Sequence, residues 1–229
     1  NDGISLEHSG TCNDGVGKGM CGGEIKILSP DGSKPSKGKN VLVGNFALFG
    51  ATGGRLFIEG QAGDRFAVRN SGTTAVVEGV GDFCAEYMTN GSILNLGVFS
   101  KGLGNGMSGG FVYQYDPQNL LQDMISHDSV LHGRLDDGSE NALLHEDCVR
   151  KMLKWHFLAT HSCRAKIFID EWDTIKKDFS WIMPKAFLKY QCSDTIFASS
   201  SRKQLSDELS NALVTHQIDF LKNVWKNKK

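Results

Sequence analysis

Long apolar runs are missing from the sequence: no stretch of the 229 residues approaches the ~20 that a membrane-spanning helix needs. The N-terminus also lacks a basic segment followed by an apolar one, which argues against a secretory signal peptide. Positive charge is not in excess, because 25 lysines and arginines face 26 aspartates and glutamates. A general nucleic-acid-binding protein would present a basic face, so we expect neither a membrane nor a nucleic acid as partner.

Cysteine pairs of the C-x-x-C kind are lacking as well. The six cysteines are scattered through regions of different expected structure: Cys12, Cys21, Cys84, Cys148, Cys163 and Cys192. Because none has paired spacing, free thiols in a reducing compartment are the simpler interpretation. We therefore expect a cytoplasmic protein.

Glycine, by contrast, is abundant, and the 27 glycines follow a repeat. Residues 53–60 align with residues 72–79 at an offset of 19, with residues 90–97 after 18 more, and with residues 109–116 after another 19. The same register extends backwards once a 12-residue insert, 29–40, is taken out. Since the insert is rich in Pro, Gly, Ser and Lys, we expect it to be a solvated loop.

Two columns of the aligned repeats are informative. One is occupied by residues that tolerate positive φ, which predicts a corner repeated in every turn: Gly3, Gly22, Gly53, Gly72, Asn90 and Gly109. The other is apolar throughout, as an inward-facing stack should be: Leu6, Ile25, Leu56, Ala75, Ile93 and Val112.

A period of 18–19 residues, with short apolar stretches between glycine corners, is typical of a solenoid. A helical repeat of this length would not tolerate so much glycine. We therefore predict a mainly β protein, a single-stranded parallel β-helix over residues 1–116. A second corner repeats as Gly44-Asn45, Gly63-Asp64 and Gly81-Asp82, and we expect strands after it at residues 46–49, 66–69 and 84–88.

After Pro117 the repeat ends, and the pattern predicts three further regions. Residues 117–141 are expected to be a linker, and residues 142–191 a helical extension that packs on the solenoid. That extension holds one helix with a stripe at Cys148, Met152 and Trp155, and a second over residues 162–177. Residues 192–229 are expected to form an amphipathic C-terminal helix with a basic tail.

Glu59 and Glu78 occupy the same position in adjacent turns, so stacking would place them about 5 Å apart. Two carboxyl groups at that spacing could carry out retaining glycoside hydrolysis. The alternative is that both lie at a solvated edge of the solenoid, and we favour it because no aromatic platform for a sugar ring lies beside them in the sequence.

Two other motifs have a structural explanation. G-x-G-x-x-G occurs at residues 17–22 and 104–109, but a dinucleotide-binding fingerprint requires a helix after it, and here a strand is expected. A zinc site could be suspected at His145, Cys148, His156, His161 and Cys163. Since no second pair has finger-like spacing, we interpret these residues as helix-surface and helix-end residues.

Several motifs resemble a known family: VGKGMCGG at residues 16–23, LFGATGG at 48–54, GDRFAVRNSG at 63–72, VVEGVGD at 76–82 and GMSGG at 106–110. They resemble the GXGXG domain, the C-terminal domain of the glutamate synthase large subunit, over residues 10–116 and more weakly as far as Pro184. The resemblance implies a right-handed β-helix. It also implies further coils before Gly3, so we expect this open end to be covered by a partner or by a second copy in a homo-oligomer.

Glutamate synthase makes two glutamates from glutamine and 2-oxoglutarate, with a glutaminase domain and an FMN barrel that carries an iron–sulfur cluster. The resemblance implies a non-catalytic scaffold for those domains, so we assign this chain no catalytic, cofactor-binding or metal-binding residue. Two alternatives are a carbohydrate-active β-helix enzyme using Glu59 and Glu78, and a scaffold subunit of another redox complex such as formylmethanofuran dehydrogenase.

Overall fold

The computed structural model describes residues 1–30, 40–138 and 140–186. Most of the insert 29–40 and the C-terminal helix expected within 192–229 therefore lie outside the described residues. The strands are β1 Ser5–Ser9, β2 Cys21–Leu28, β3 Val41–Val43, β4 Gly53–Ile58, β5 Gln61–Ala62, β6 Ser71–Gly79, β7 Asn90–Val98, β8 Phe111–Tyr115, β9 Val130–Arg134 and β10 Phe179–Pro184. The helices are α1 Leu121–Met124, α2 Glu140–Thr160, α3 Cys163–Asp170 and α4 Trp172–Ile175, with a 3-10 turn at Lys176–Asp178.

Eight of these strands form one sheet in the order β1-β2-β4-β6-β7-β8-β10-β9, and β3 pairs with β5. Pairing is parallel from β1 to β8, as expected for turns that stack in chain order. The predicted parallel β-solenoid is confirmed, with about five turns.

The apolar column of the repeat is confirmed as the inward stack. The sheet pairs Leu6 with Ile25 and continues through the rest of the predicted column, Leu56, Ala75, Ile93 and Val112. The last four side chains are fully buried inside the solenoid, whereas Leu6 is 48% exposed. All five residues of β1 are exposed, so the core is unfinished at this edge of the described chain.

Apart from Gly3, whose φ is 83°, the glycine column does not have the predicted conformation, because positive φ falls one residue later, at Gly23, Gly54, Gly91 and Gly110. The column glycines are needed for space instead. A Cβ on Gly72 would lie 2.2 Å from the carbonyl oxygen of Thr52, and one on Gly109 would lie 1.9 Å from that of Thr89. Both contacts are closer than real Cβ atoms approach, so the stacking distance itself excludes a side chain.

The strands predicted at 46–49, 66–69 and 84–88 are wrong. Apart from Met88, these residues belong to six-residue turns. The turns lie at 14–19, 45–50, 64–69, 82–87 and 101–106, and together we call them the corner wall. In each turn the second, fourth and sixth residues have positive φ, including the glycines of the G-x-G-x-G runs at 15–19 and 102–106. The three middle turns keep this conformation at eight non-glycine residues: Phe46, Leu48, Arg65, Ala67, Arg69, Phe83, Ala85 and Tyr87.

Hydrogen bonds between turns stabilise this conformation. The residues of positive φ donate their N–H groups alternately to the next turn and to the previous one. Phe46 N donates to Asp64 O at 2.8 Å, Leu48 N to Val16 O at 2.8 Å and Gly50 N to Val68 O at 2.9 Å. Left-handed backbone costs about 1–2 kcal/mol for each non-glycine residue, so the ladder and the buried side chains must offset it.

Side chains at the start of each turn add a second ladder. Asn45 N donates to Asp14 Oδ1 at 2.7 Å, Asp64 N to Asn45 Oδ1 at 2.9 Å and Asp82 N to Asp64 Oδ1 at 2.9 Å. The glycine of each Gly-Asn or Gly-Asp pair leaves room for the accepting oxygen, since a Cβ on Gly81 would lie 2.1 Å from Asp64 Oδ1. The repeated pair therefore marks one rung of this ladder.

The outer face of β4 to β8 forms a second core under the helices. Phe57, Val76, Leu94 and Tyr113 point away from the solenoid interior and pack against α2, α3 and α4, with helix residues that include Cys148, Met152, Ala165 and Trp172. The helix predicted over 162–177 is interrupted at Glu171, where α3 gives way to α4. Of the predicted stripe, Cys148 and Met152 are buried, whereas Trp155 is partly exposed.

The region expected to be a linker, 117–141, differs from that expectation because it contains α1 and β9. Among the described strands β9 lies at the edge and pairs with β10 alone. Four of its five residues are partly exposed, so it lacks a strong apolar signal. β10 lies within the expected helical extension. It pairs antiparallel with β8 and is fully buried, which extends the sheet beyond the last parallel turn.

The left-handed conformation of the corner wall can be tested at Arg69, an exposed residue with φ of 56°. We expect Arg69→Val to lower the free energy of unfolding by about 1–2 kcal/mol, because β-branched residues are poorly accommodated at positive φ. Arg69→Gly should cause no comparable loss. Urea denaturation measures both, with Thr89→Val as the exposed control at a residue without positive φ. A stabilising Arg69→Val would instead indicate a strand.

Candidate functional site

Glu78 lies at the end of β6, and its side chain is only 3% exposed. The junction between α2 and α3 covers it. His156 near the end of α2, Ser162 at the N-cap of α3 and Arg164 in the first turn of α3 all reach this carboxyl group. A buried carboxyl group with this many partners is part of the packing between solenoid and helices.

Three side chains contact the two oxygens of the Glu78 carboxyl group. His156 Nε2 lies 3.2 Å from Oε1, and Ser162 Oγ donates a short hydrogen bond to the same oxygen. Arg164 Nε lies 3.6 Å from Oε2, while its Nη1 donates to Leu96 O at 2.7 Å. Ser162 Oγ also accepts from Ala165 N at 3.1 Å, which caps α3.

Glu59 has a different environment. It is half-buried, and its Oε2 accepts a hydrogen bond from Ser29 N at 3.0 Å. Burial raises the pKa of the Glu59 carboxyl group; the hydrogen bond from Ser29 opposes this shift, and the charge of Glu78 adds to it. Glu59 therefore ties the insert to the solenoid wall at Ser29.

The two glutamates do not form an accessible pair. The prediction that both lie at a solvated edge is wrong for Glu78, because α2 and α3 bury it. The same burial removes support for glycoside hydrolysis, since a sugar ring could not reach the Glu78 carboxyl group without displacing the helix junction.

Both G-x-G-x-x-G stretches lie across corner turns and lead into strands, β2 in one case and β8 in the other. A dinucleotide fingerprint places a helix N-terminus at the pyrophosphate, and neither stretch is followed by a helix. The prediction of a strand after each motif is confirmed.

The interpretation of the suspected zinc ligands as helix-surface residues is wrong for His145, Cys148 and His156, which are buried. His145 Nδ1 lies 3.0 Å from Tyr113 Oη, its ring stacks on Trp181, and burial lowers its pKa to about 3. Burial also raises the pKa of the Cys148 thiol to about 12, whereas Cys163 is exposed. Within the described ranges no three His, Cys, Asp or Glu side chains are grouped so that they could hold a metal ion.

The five described cysteines also do not fit an iron–sulfur cluster. An iron–sulfur cluster needs several neighbouring thiolates, but the five described cysteines are free and spread over the fold. A cleft of about 260 Å³ opens beside Val98, Asp116 and Arg164. It is below the ~300–1,000 Å³ typical of ligand sites, and the Asp116 carboxyl group in it accepts hydrogen bonds from Leu120 N and Leu121 N.

Sequence reasoning did not single out Ser162 and Arg164. Glu78 and Ser162 are 84 residues apart, and nothing in the local pattern at either end reports the contact. A serine three residues before Ala165 is a recognisable N-cap signal, but it predicts only where α3 begins. None of the helices in the described segments is long and apolar enough to cross a bilayer.

The chain is a parallel β-solenoid with a glycine-rich corner wall and a cover of helices. Buried polar side chains around Glu78 join the helices to the solenoid. The family model described as "GXGXG motif" matches residues 1–185, and the chain belongs to this family.

Three relatives are similar over four-fifths of the chain. The ferredoxin-dependent glutamate synthase of Antithamnion sp. is 43% identical over 80% of this chain and 12% of its own length. The glutamate synthase [NADPH] large chain of Bacillus subtilis is 39% identical over 81% of this chain and 12% of its own length. The glutamate synthase [NADH] of Schizosaccharomyces pombe is 39% identical over 81% of this chain and 8% of its own length. The chain thus resembles about a tenth of each relative.

The structural role of Glu78 can be tested by removing its acceptor oxygens. We expect Glu78→Ala to lower the free energy of unfolding by about 3 kcal/mol, because it leaves His156, Ser162 and Arg164 facing a buried site without their common partner. Urea denaturation measures the loss, and Glu59→Ala is the matched control in the adjacent turn, with an expected loss below about 1 kcal/mol. Equal losses would contradict the network described here.

Proposed function

We propose that this chain is the non-catalytic β-solenoid scaffold of a glutamate synthase, which makes two glutamates from glutamine and 2-oxoglutarate. In this proposal the solenoid supports the glutaminase and FMN-barrel parts, which hold the flavin and the iron–sulfur cluster. The similarity to glutamate synthases of three different organisms supports the choice of enzyme.

The observation that best supports the scaffold role is the burial of the Glu78 carboxyl group. It is the most chemically suggestive side chain of the repeat, yet its carboxyl group is directed at His156, Ser162 and Arg164 under the helices. A catalytic carboxyl group must be reachable by substrate, whereas one that joins two layers of a fold need not be.

The exposed edge at β1 supports attachment to further protein. Ile4 is 57% exposed and Leu6 is 48% exposed, and within the described ranges no strand pairs with the outer side of β1. Such an edge is prone to pair with another strand, so we propose that glutamate synthase polypeptide covers it. A second copy of this chain is the competing occupant, and light scattering on the purified chain distinguishes the two.

Other functions have less support. Burial of Glu78 disfavours carbohydrate hydrolysis. A role in formylmethanofuran dehydrogenase is less consistent with the relatives described above, which are glutamate synthases. The free thiols of the described cysteines suit a cytoplasmic location, which remains part of this proposal.

The test is to produce the glutaminase and FMN-barrel parts of the same glutamate synthase with and without this chain. We expect the chain to co-purify with them in a fixed ratio and to increase the fraction that retains flavin. Glutamate formation from glutamine and 2-oxoglutarate, measured per bound flavin, should be unchanged by Glu59→Gln.

Glu59→Gln is a suitable variant because it removes the charge of the accessible glutamate and keeps an oxygen that can accept from Ser29 N. Flavin bound by this chain alone, or loss of turnover in Glu59→Gln at unchanged stability, would contradict the scaffold role. Failure to co-purify would contradict the assignment to glutamate synthase.

A further inference from the structure

The segment between α1 and β9 brings two histidines together. His127 lies in the loop after α1, and His132 is the third residue of β9. The centres of their imidazole rings are 6.2 Å apart. His127 is exposed and His132 is partly exposed, so both rings can be reached from solvent. Imidazole is a common metal ligand in proteins, which makes this pair a candidate binding site.

The backbone holds both histidines in defined positions. Val130 N donates to Ser126 O at 3.2 Å, which closes a turn around His127. His132 lies opposite Ile182 in the antiparallel pairing of β9 with β10. Two ligands on an ordered backbone need little rearrangement to bind an ion, so less binding free energy is lost to ordering.

The hydrogen bonding of the pair suits a metal ligand. Nε2 of His127 lies 2.8 Å from Gln122 O, and because a carbonyl oxygen can only accept, this nitrogen donates. In the neutral ring Nδ1 then keeps its lone pair. Most metal-binding histidines are oriented in this way, by donating their other ring N–H. Burial, together with the charges of His127 and Arg134, lowers the pKa of His132, which favours its neutral form.

The separation of the rings is compatible with one shared ion. With nitrogen–metal bonds of about 2.0–2.1 Å, two imidazoles on one ion have their ring centres roughly 4.5–6.5 Å apart. The nearby cation Arg134 has its own partners, since its Nη2 lies 2.7 Å from Asn119 Oδ1 and 3.8 Å from Asp116 Oδ2. Within the described ranges no third His, Cys, Asp or Glu side chain completes a metal-binding group, so water supplies the remaining ligands.

We propose that His127 and His132 together bind a divalent transition-metal ion of the kind that imidazole prefers, such as Zn²⁺ or Cu²⁺. The ion joins the loop after α1 to β9. Because α1 lies on the last turn of the corner wall, where Gly102 N donates to Met124 O at 2.8 Å, the bound ion stabilises this end of the solenoid. This inference does not depend on the assignment to glutamate synthase.

The test is isothermal titration calorimetry of the purified chain with Zn²⁺ at neutral pH, together with its melting temperature with and without Zn²⁺. We expect Zn²⁺ to raise the melting temperature, and His127→Gln and His132→Gln each to lower the affinity by at least about tenfold. His8→Gln is the matched control and should leave the affinity unchanged. His8 is exposed, its Nε2 also lies near a carbonyl oxygen, 3.2 Å from Thr11 O, and it belongs to β1 at the opposite edge of the sheet.

Electron paramagnetic resonance of the chain with Cu²⁺ identifies the ligands without relying on a variant that folds. We expect splitting from two imidazole nitrogens in the unaltered chain, and from one in either variant. Absence of Zn²⁺ binding, an unchanged affinity in either variant, an equal loss in His8→Gln, or no rise in the melting temperature would overturn the inference. If a variant unfolds, the copper spectrum of the unaltered chain decides: two imidazole nitrogens support the site, and fewer contradict it.

Discussion

Hydrogen bonding between successive turns of the corner wall is the constraint on which the rest of the structure depends. In each turn every second residue has positive φ, and these residues form hydrogen bonds with the turns on either side. This arrangement fixes the stacking distance so tightly that a Cβ at Gly72 or Gly109 would overlap the preceding turn. Because each sheet strand continues from a turn of the wall, the wall also sets the register of the strands. That register aligns the inward stack around Leu56 and the outer core under α2.

The period of 18–19 residues was enough to predict the solenoid, its register and its inward column from the sequence. The backbone of the wall was not predictable in the same way. Apolar residues such as Phe46, Phe66 and Cys84 follow a glycine pair and suggest strands, but local sequence does not show that Leu48 and Ala67 have positive φ. The conformation of the glycine column was predicted wrongly for a related reason. A glycine can be required because the backbone of a neighbouring turn lies too close for a side chain, as well as because φ is positive. β9 escaped prediction because an edge strand with one buried residue carries little pattern.

In the candidate site, too, the local repeat was predictable from the sequence, whereas the contacts between distant residues were not. Repeat alignment found Glu59 and Glu78 at equivalent positions, yet one binds the insert at Ser29 and the other is buried beneath the α2–α3 junction. That difference depends on residues 78 to 84 positions away in the sequence, His156 and Ser162. An apolar stripe predicts that a helix packs against the solenoid, but it does not predict where the ends of the helix lie on the sheet. The sequence therefore predicts the helix but not the polar contacts at its end. The buried network therefore describes how the cover is attached to the solenoid.

Native-state amide hydrogen exchange tests the central claim most directly, because it reports the opening of individual backbone hydrogen bonds. The wall amides of Leu48, Ala67 and Ala85 donate to neighbouring turns, as sheet amides do. The account predicts that these three amides exchange only through openings as costly as those that expose the sheet residues Leu56 and Ile93. Exchange of the wall amides at the fast rates of a surface loop, while the sheet stays protected, would contradict it.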